Sequence, residues 1–99
     1  MTLAQAFQAE AISNAQTAML AHGCPTKRLL LTLQERGGVE TAKELAKRHR
    51  LSDGFEALRS CGQLRLSLEA LMTKGKFSSL FTDEEVNWCL DALLDAGYF

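Results

Sequence analysis

The sequence predicts an all-α fold, a compact single-domain bundle of five to six short helices over residues 1–99. Three observations lead to this prediction. The chain has 99 residues, of which 46% are hydrophobic and 23% charged, and these values fit one globular domain. Apolar residues recur mainly at intervals of three and four, which is the helical period. Capping residues and glycines divide the chain into short segments, as they do between helices.

The first helix is predicted between Thr2 and Gly23. Thr2 followed by Gln5 is a capping-box pattern, in which each side chain bonds a free backbone amide at the helix start. Gly23 favours a left-handed helix end, and Pro25 prevents continuation. The predicted inner face is mostly alanine, which allows close approach of another helix; its members are Ala4, Phe7, Ala11, Ala15, Ala18 and His22.

Two further helices are predicted over residues 27–36 and 39–50. Thr26 is expected to cap the first of them, and Gly37-Gly38 is expected to end it. The leucine-rich run 29–33 also fits a buried strand, but the helix is favoured because no partner strand lies nearby. The predicted inward-facing residues are Leu29, Leu30 and Leu33, followed by Val39, Ala42, Leu45, Ala46 and His49.

The second half of the chain is divided by further capping signals. Asp53 with Glu56 resembles a capping box for a short helix that ends at Gly62. Residues 63–67 alternate polar and apolar side chains and form at most an isolated extended bridge. Ser67 is expected to cap a helix that Gly75 closes. Buried positions predicted in these segments are Phe55, Leu58, Leu68, Leu71 and Met72, with Phe77, Leu80 and Phe81 as anchors of a tight connector.

The last helix is predicted from Thr82 to Gly97 and carries the first candidate site. Its capping box is Thr82 with Glu85, and its predicted inner face is Val86, Cys89, Leu90, Leu93 and Leu94. At 3.6 residues per turn, a second face gathers Glu84, Trp88, Asp91 and Asp95. An exposed tryptophan flanked by charges is typical of a protein interface, so these four residues are the predicted partner-binding surface. The sequence leaves open whether Trp88 is exposed or is covered by the first helix or the 77–81 connector.

A basic segment offers the alternative site. Residues 27–50 contain seven basic and three acidic side chains, whereas residues 77–99 contain five acidic side chains and no lysine or arginine. Residues 26–50 fit a helix-turn-helix, with Lys43, Lys47 and Arg50 as nucleic-acid contacts. The same helix also carries acidic residues and lacks the Asn or Gln that would read base edges. A DNA-binding regulator is therefore the alternative function.

No motif predicts catalysis, a metal ion or a cofactor. The three cysteines, Cys24, Cys61 and Cys89, are an odd number at wide spacing, which argues against a disulfide scaffold and suggests a reducing cytoplasm. We expect them, like His49, to be structural residues of the core. No apolar run approaches the ~20 residues of a membrane-spanning helix. The residues alone predict a non-enzymatic cytoplasmic binding protein that is a monomer or a weak dimer.

Four stretches carry a resemblance to a known family, and the match extends over roughly residues 35–99. They are Gly37-Gly38-Val39-Glu40-Thr41-Ala42-Lys43, Ser52-Asp53-Gly54-Phe55, Ser67-Leu68-Glu69-Ala70-Leu71 and Leu80-Phe81-Thr82-Asp83-Glu84-Glu85. They resemble a family of small bacterial and prophage proteins, and within it the size and helical build are similar to an anti-CRISPR protein. Such proteins are inhibitors, encoded by phages and mobile elements, of type I CRISPR–Cas surveillance complexes. The resemblance implies a protein that binds a Cas subunit in the bacterial host cytoplasm and stops target DNA from docking or unwinding.

Overall fold

Six α-helices and two short 3₁₀ turns form the fold in the computed structural model, which describes residues 1–98. The helices are α1 (Leu3–His22), α2 (Lys27–Arg36), α3 (Gly38–Lys47), α4 (Phe55–Ser60), α5 (Leu68–Met72) and α6 (Asp83–Asp95), and the 3₁₀ turns are Leu64–Leu66 and Ser78–Leu80. No strand occurs within residues 1–98, so the predicted all-α class is confirmed. The radius of gyration is 12.1 Å, close to the ~13 Å of a folded domain of this length.

Helix α1 contributes Phe7, Ala11 and Ala15 to the main core. The predicted capping box is present, since Gln5 N donates to Thr2 Oγ1 at 3.1 Å and Thr2 N donates to Gln5 Oε1 at 2.8 Å. The central part of the predicted apolar face is buried, but both of its ends, Ala4 and His22, are exposed. No helix in the described part of the chain is both long and apolar enough to cross a membrane.

Helices α2 and α3 pack against α1 and are joined by Gly37 alone. The leucine run is helical, with Leu29, Leu30 and Leu33 buried, so the predicted helix is confirmed over the strand alternative. Gly37 has a φ of 90°, which an L-residue adopts only with strain. A Cβ atom on Gly38 would lie 2.9 Å from Gln8 Cα. The absence of a side chain at Gly38 therefore allows α3 to start directly against α1.

Thr26 does not cap α2 as the sequence predicted. Its hydroxyl donates instead to the carbonyl oxygen of Ala15 at 2.7 Å, and no side-chain cap is present at the start of α2. The hydroxyl is buried, so a hydrogen bond across to α1 satisfies a group that would otherwise be unpaired. Thr26 thus ties the start of α2 to α1.

Helix α3 ends at Lys47, three residues before the predicted end at Arg50. The termination occurs at His49, which has a φ of 53°, the one positive φ of a non-glycine residue within residues 1–98. Arg50 N then donates to Leu45 O at 2.9 Å, which closes the end of the helix. His49 was predicted on the inner face of this helix, but it lies exposed beyond the helix end.

Residues 51–72 contain α4, a 3₁₀ turn and α5, and the capping box predicted for α4 is wrong. Gly54, with no side-chain cap, precedes α4, so the predicted Asp53 capping box does not form. The segment predicted as at most an extended bridge contains the 3₁₀ turn Leu64–Leu66. The predicted cap at Ser67 is confirmed, since Ala70 N donates to Ser67 Oγ at 3.1 Å.

A buried carboxylate fixes the loop between α3 and α4. Glu69 in α5 is only 3% exposed and accepts from Ser52 N at 2.7 Å and from Ser52 Oγ at 2.6 Å. Burial raises the pKa of Glu69 above its ordinary value, although both hydrogen bonds from Ser52 act in the opposite direction. The loop that leads away from His49 is thereby anchored to the helix beneath α6.

The connector between α5 and α6 completes the main core. Phe7 of α1 contacts Phe77 and Phe81 edge to face, with ring centroids 5.3 and 5.2 Å apart. All three rings are buried, whereas Leu80 is partly buried. Such edge-to-face pairs add ~0.5–1.5 kcal/mol beyond the burial of their area. The connector is therefore anchored as predicted immediately before α6 begins.

Candidate functional site

Helix α6 is held in one rotational setting by its first turn and its buried face. The predicted capping box is present, with Glu85 N donating to Thr82 Oγ1 at 3.2 Å and Thr82 N donating to Glu85 Oε1 at 2.8 Å. The ammonium of Lys43 lies 3.1 Å from the same Glu85 oxygen and links α6 to α3. Cys89 and Leu93 are fully buried beneath the helix.

The charge state of Glu85 follows from these contacts. Partial burial on its own raises the pKa of Glu85, but the amide of Thr82 and the Lys43 ammonium outweigh it, so that its pKa lies below the ordinary value. Glu85 is consequently ionised at neutral pH and is paired within the fold. Among the acidic side chains of α6, Glu85 is the one whose ion pair and capping hydrogen bond stabilise the described fold.

The other predicted side chains lie on the outer side of α6. Glu84, Asp91 and Asp95 are all exposed, and none of them forms an ion pair with a cation of residues 1–98. We refer to Glu84, Trp88, Asp91 and Asp95 as the acidic ridge. Three carboxylates that lack an internal counter-charge leave a negative potential over this face of the helix.

Trp88 takes a position between the two that the sequence left open. Its side chain is partly buried and packs against the main core. The indole is stacked on the imidazole of His49, with the ring centroids 5.8 Å apart and the planes 10° from parallel. The tryptophan is therefore held in a fixed orientation and keeps part of its surface accessible to solvent.

A groove runs beside Trp88 between α6 and α4, and we call it the indole groove. It has a volume of about 420 Å³. Its apolar lining includes Leu51, Phe55, Ala92 and Ala96, and its charged lining is Glu56, Arg59, Asp91 and Asp95. Arg59 is paired with Glu56 at 3.3 Å, so the two aspartates supply the excess charge. The groove combines an aromatic wall with uncompensated carboxylates.

The inner face of α6 is narrower than the sequence predicted. Leu90 and Leu94 were expected to face the core, but they are 37% and 60% exposed. On a helical wheel they fall on the side of the ridge away from Trp88. Within the described chain, the buried residues of α6 are Cys89 and Leu93. Leu90 and Leu94 lie outside this narrow buried face. The outer surface of α6 is consequently both acidic and apolar.

The structure does not form the predicted basic row on one helix. Lys43 is paired with Glu85, and its ammonium also lies 5.7 Å from the centroid of the Phe81 ring. Lys47 is the exposed last residue of α3, and Arg50 lies outside the helix. The predicted recognition helix therefore carries Lys43 and Lys47 but not Arg50, and the DNA-binding alternative stays a prediction.

The sequence did not predict the two grooves, one lined by residues of α4 and the other by arginines. Phe55, Glu56 and Arg59 border the indole groove because α4 lies next to α6, a tertiary relationship without a local signal in the sequence. A second groove of about 240 Å³ is lined by four arginines, Arg28, Arg36, Arg48 and Arg50. Of these four, only Arg50 belongs to the basic row predicted from the sequence.

Two of the three cysteines, Cys24 and Cys61, are neighbours, and burial together with the Cys61 thiol raises the pKa of Cys24. Cys24 and Cys89 are buried as predicted, but Cys61 is exposed, which corrects the expectation that all three belong to the core. Burial, reinforced by the charges of Glu69 and Glu85, raises the pKa of the Cys89 thiol to about 12. Within residues 1–98, no group of three or more His, Cys, Asp or Glu side chains is placed to hold a metal ion.

Comparisons of the chain with protein-family models, with curated proteins and with solved structures found no match. The resemblance of residues 35–99 to the prophage family stays a prediction.

Proposed function

We propose that this chain is a non-enzymatic binding protein that inhibits a macromolecular machine. It contacts its target through the acidic ridge, with Glu84, Asp91 and Asp95 meeting cations and Trp88 supplying the apolar anchor. The target proposed from the sequence resemblance is a type I CRISPR–Cas surveillance complex. Binding there blocks target DNA from docking or unwinding.

The observation that carries the proposal is the absence of internal counter-charges at the ridge. Some acidic residues elsewhere are paired, for example Glu44 with Arg48 at 3.1 Å and Glu10 with Lys76 at 3.1 Å, whereas the ridge gathers on one helix three carboxylates that are unpaired within the described chain. Glu84, Asp91 and Asp95 have no such partner within residues 1–98, although they neighbour one another along the helix. Like charges held together repel one another, so a cationic partner is favoured at this surface.

The physical character of the proposed target fits this surface. A complex that holds DNA presents lysine and arginine side chains toward the phosphates. Carboxylates form strong charge-assisted hydrogen bonds with guanidinium groups. A fixed tryptophan gives a large contact area at a low entropic cost, and such residues dominate the binding energy of many interfaces. The ridge therefore competes with DNA for the same kind of surface.

The test is the affinity of the chain for a purified type I surveillance complex, measured by biolayer interferometry at low salt. The test variant is Asp91→Lys with Asp95→Lys. The matched control is Glu35→Lys with Glu40→Lys, two exposed acids without ion pairs on α2 and α3. Each reversal adds two positive charges, so both double variants change the net charge from −1 to +3.

We expect the ridge variant to bind at least ~10-fold more weakly, a loss of ~1.4 kcal/mol, while the control keeps its affinity within about twofold. Wild-type binding is also expected to weaken as the salt concentration rises. Added target DNA should compete with the chain. Equal affinities of wild type and ridge variant, with both proteins folded by circular dichroism, contradict the proposed surface.

A further inference from the structure

The second groove, which we call the arginine groove, lies between α2, α3 and the loop that follows His49. Its volume is about 240 Å³. Four arginines, Arg28, Arg36, Arg48 and Arg50, line it together with the two acids Glu44 and Asp53. The groove thus carries an excess of two positive charges in a chain whose net charge is −1. It is separate from the acidic ridge, although Leu51 borders both grooves.

Two of the four arginines are held in position by one carboxylate. Glu44 in α3 forms an ion pair with Arg48 at 3.1 Å and accepts a hydrogen bond from Arg36 of α2. This shared acid orients both guanidinium groups and neutralises one of their charges. Part of the entropic cost of ordering Arg36 and Arg48 is therefore met before any ligand arrives.

The other two arginines have no acidic partner. Arg28 and Arg50 form no ion pair with any side chain of residues 1–98. A guanidinium group has five N–H donors in a planar arrangement that matches phosphate oxygens. Arg28 and Arg50 thus provide two unpaired cations in a groove whose other two arginines are paired with Glu44.

The other residues that line the arginine groove indicate the size and polarity of the organic part of a ligand. Leu29, Leu45 and Leu51 make part of it apolar. The hydroxyls of Thr32 and Thr41 donate to backbone carbonyl oxygens at 3.0 and 2.8 Å, so their protons are already used. Donation to a ligand is left to the arginines. Sites for drug-sized molecules span roughly 300–1,000 Å³, so this groove takes a smaller compound.

We propose that the arginine groove binds a small phosphate monoester, such as a sugar phosphate or a mononucleotide. The phosphate lies between Arg28 and Arg50, and the organic part lies against the leucines. A monoester is favoured over a diester because it carries nearly two negative charges at neutral pH, which equals the excess charge of the groove. This assignment is independent of the acidic ridge.

The first experiment titrates the ¹⁵N-labelled chain with ribose 5-phosphate at low salt and follows the amide resonances. Diethyl phosphate serves as the diester probe and a single-stranded oligonucleotide as the polymeric one. We expect the monoester to shift the amides of Arg28, Arg50 and Leu51, and to bind at least about tenfold more tightly than diethyl phosphate. Tighter binding of the oligonucleotide per phosphate, or the absence of shifts in the groove at millimolar ribose 5-phosphate, overturns the proposal.

The second experiment removes the two unpaired cations. Arg28→Gln with Arg50→Gln is expected to weaken the binding of ribose 5-phosphate by at least about tenfold. The matched control is Lys27→Gln with Arg65→Gln, which removes two exposed, unpaired cations outside the groove and should leave the affinity unchanged. Because all four side chains are exposed, the variants retain the core. Equal losses in both double variants indicate nonspecific charge attraction and overturn the proposal.

Discussion

The imidazole of His49 stacks on the indole of Trp88, with the ring centroids 5.8 Å apart and the ring planes 10° from parallel. His49 reaches this position because its φ of 53° turns the chain at the end of α3. The same turn ends α3 at Lys47. The residue that ends one helix thereby orients the aromatic anchor of another.

Replacement of His49 should release the indole. In His49→Ala and in His49→Gly, Trp88 loses its stacking partner, so we expect its fluorescence maximum to shift to longer wavelength in both. The stabilities should differ, because alanine keeps the strain of a positive φ whereas glycine adopts it readily. We expect the free energy of unfolding of His49→Gly to be ~1 kcal/mol higher than that of His49→Ala.

Urea unfolding and emission spectra of both variants provide the measurement. Trp88 is the only tryptophan in the chain, so the spectrum reports on this ring alone. An unchanged emission maximum in both variants contradicts the role of His49 as the residue that covers Trp88.

Gly38 should tolerate no side chain. A Cβ atom there would lie 2.9 Å from Gln8 Cα and 3.1 Å from the Phe7 ring, so Gly38→Ala forces α1 and α3 apart. We expect a loss of ~1–3 kcal/mol in the free energy of unfolding, the typical cost of overpacking. Gly75→Ala is the control, since a Cβ atom at Gly75 meets nothing within 4 Å. Similar stabilities of the two alanine variants in urea contradict the close contact.

The buried carboxyl of Glu69 should make stability depend on pH. Burial raises the pKa of Glu69 in the folded state above its ordinary value of 4.5. Between these two pKa values the folded state holds a proton that the unfolded state has released. The contribution of Glu69 to the free energy of unfolding is therefore fully present below the unfolded-state pKa. It is lost as the pH rises through the folded-state pKa.

Glu69→Gln removes this titration while it keeps the shape of the side chain. We expect the variant to gain stability relative to the wild type as the pH rises from 4.5 to 7.5, measured by urea unfolding at each pH. Ser52→Ala removes a donor to the carboxylate, so its destabilisation should be larger at pH 7.5 than at pH 4.5. Parallel pH profiles for wild type and Glu69→Gln refute this account.

The capping box of Thr82 and Glu85 should matter for the helix that carries the ridge. Thr82→Ala leaves the amide of Glu85 without its side-chain acceptor, and we expect a loss of ~1 kcal/mol in the free energy of unfolding. Thr82→Ser keeps a hydroxyl in the same place and should stay close to the wild type. The prediction fails if the two variants have equal midpoints of urea denaturation.

Local signals predicted much of the fold, and tertiary contacts explain the exceptions. Both Thr capping boxes were read correctly because their partners lie three residues away. Thr26 has the same side chain but bonds Ala15, which is eleven residues distant and has no signature in the sequence. The end of α3 was missed because His49 adopts a conformation more typical of glycine, so no residue type marked the turn.

The candidate site was predictable to a similar extent. Helical geometry alone placed Glu84, Asp91 and Asp95 together, and all three are exposed. The partner of Trp88 could not be predicted, since His49 is brought to it by the packing of α3 against α6. Leu90 and Leu94 were assigned to the core because hydrophobicity does not reveal how wide a covering surface is.

The most direct test of the central claim is a site-specific photo-crosslink to a purified type I surveillance complex. The reactive group is placed beside the ridge by Asn87→p-benzoylphenylalanine, and the control is Gln34→p-benzoylphenylalanine on α2. Both residues carry an amide side chain and are exposed. The account predicts a covalent adduct with a Cas subunit from position 87 and none from position 34. An adduct from position 34 and none from position 87, with both variants still bound to the complex, contradicts it.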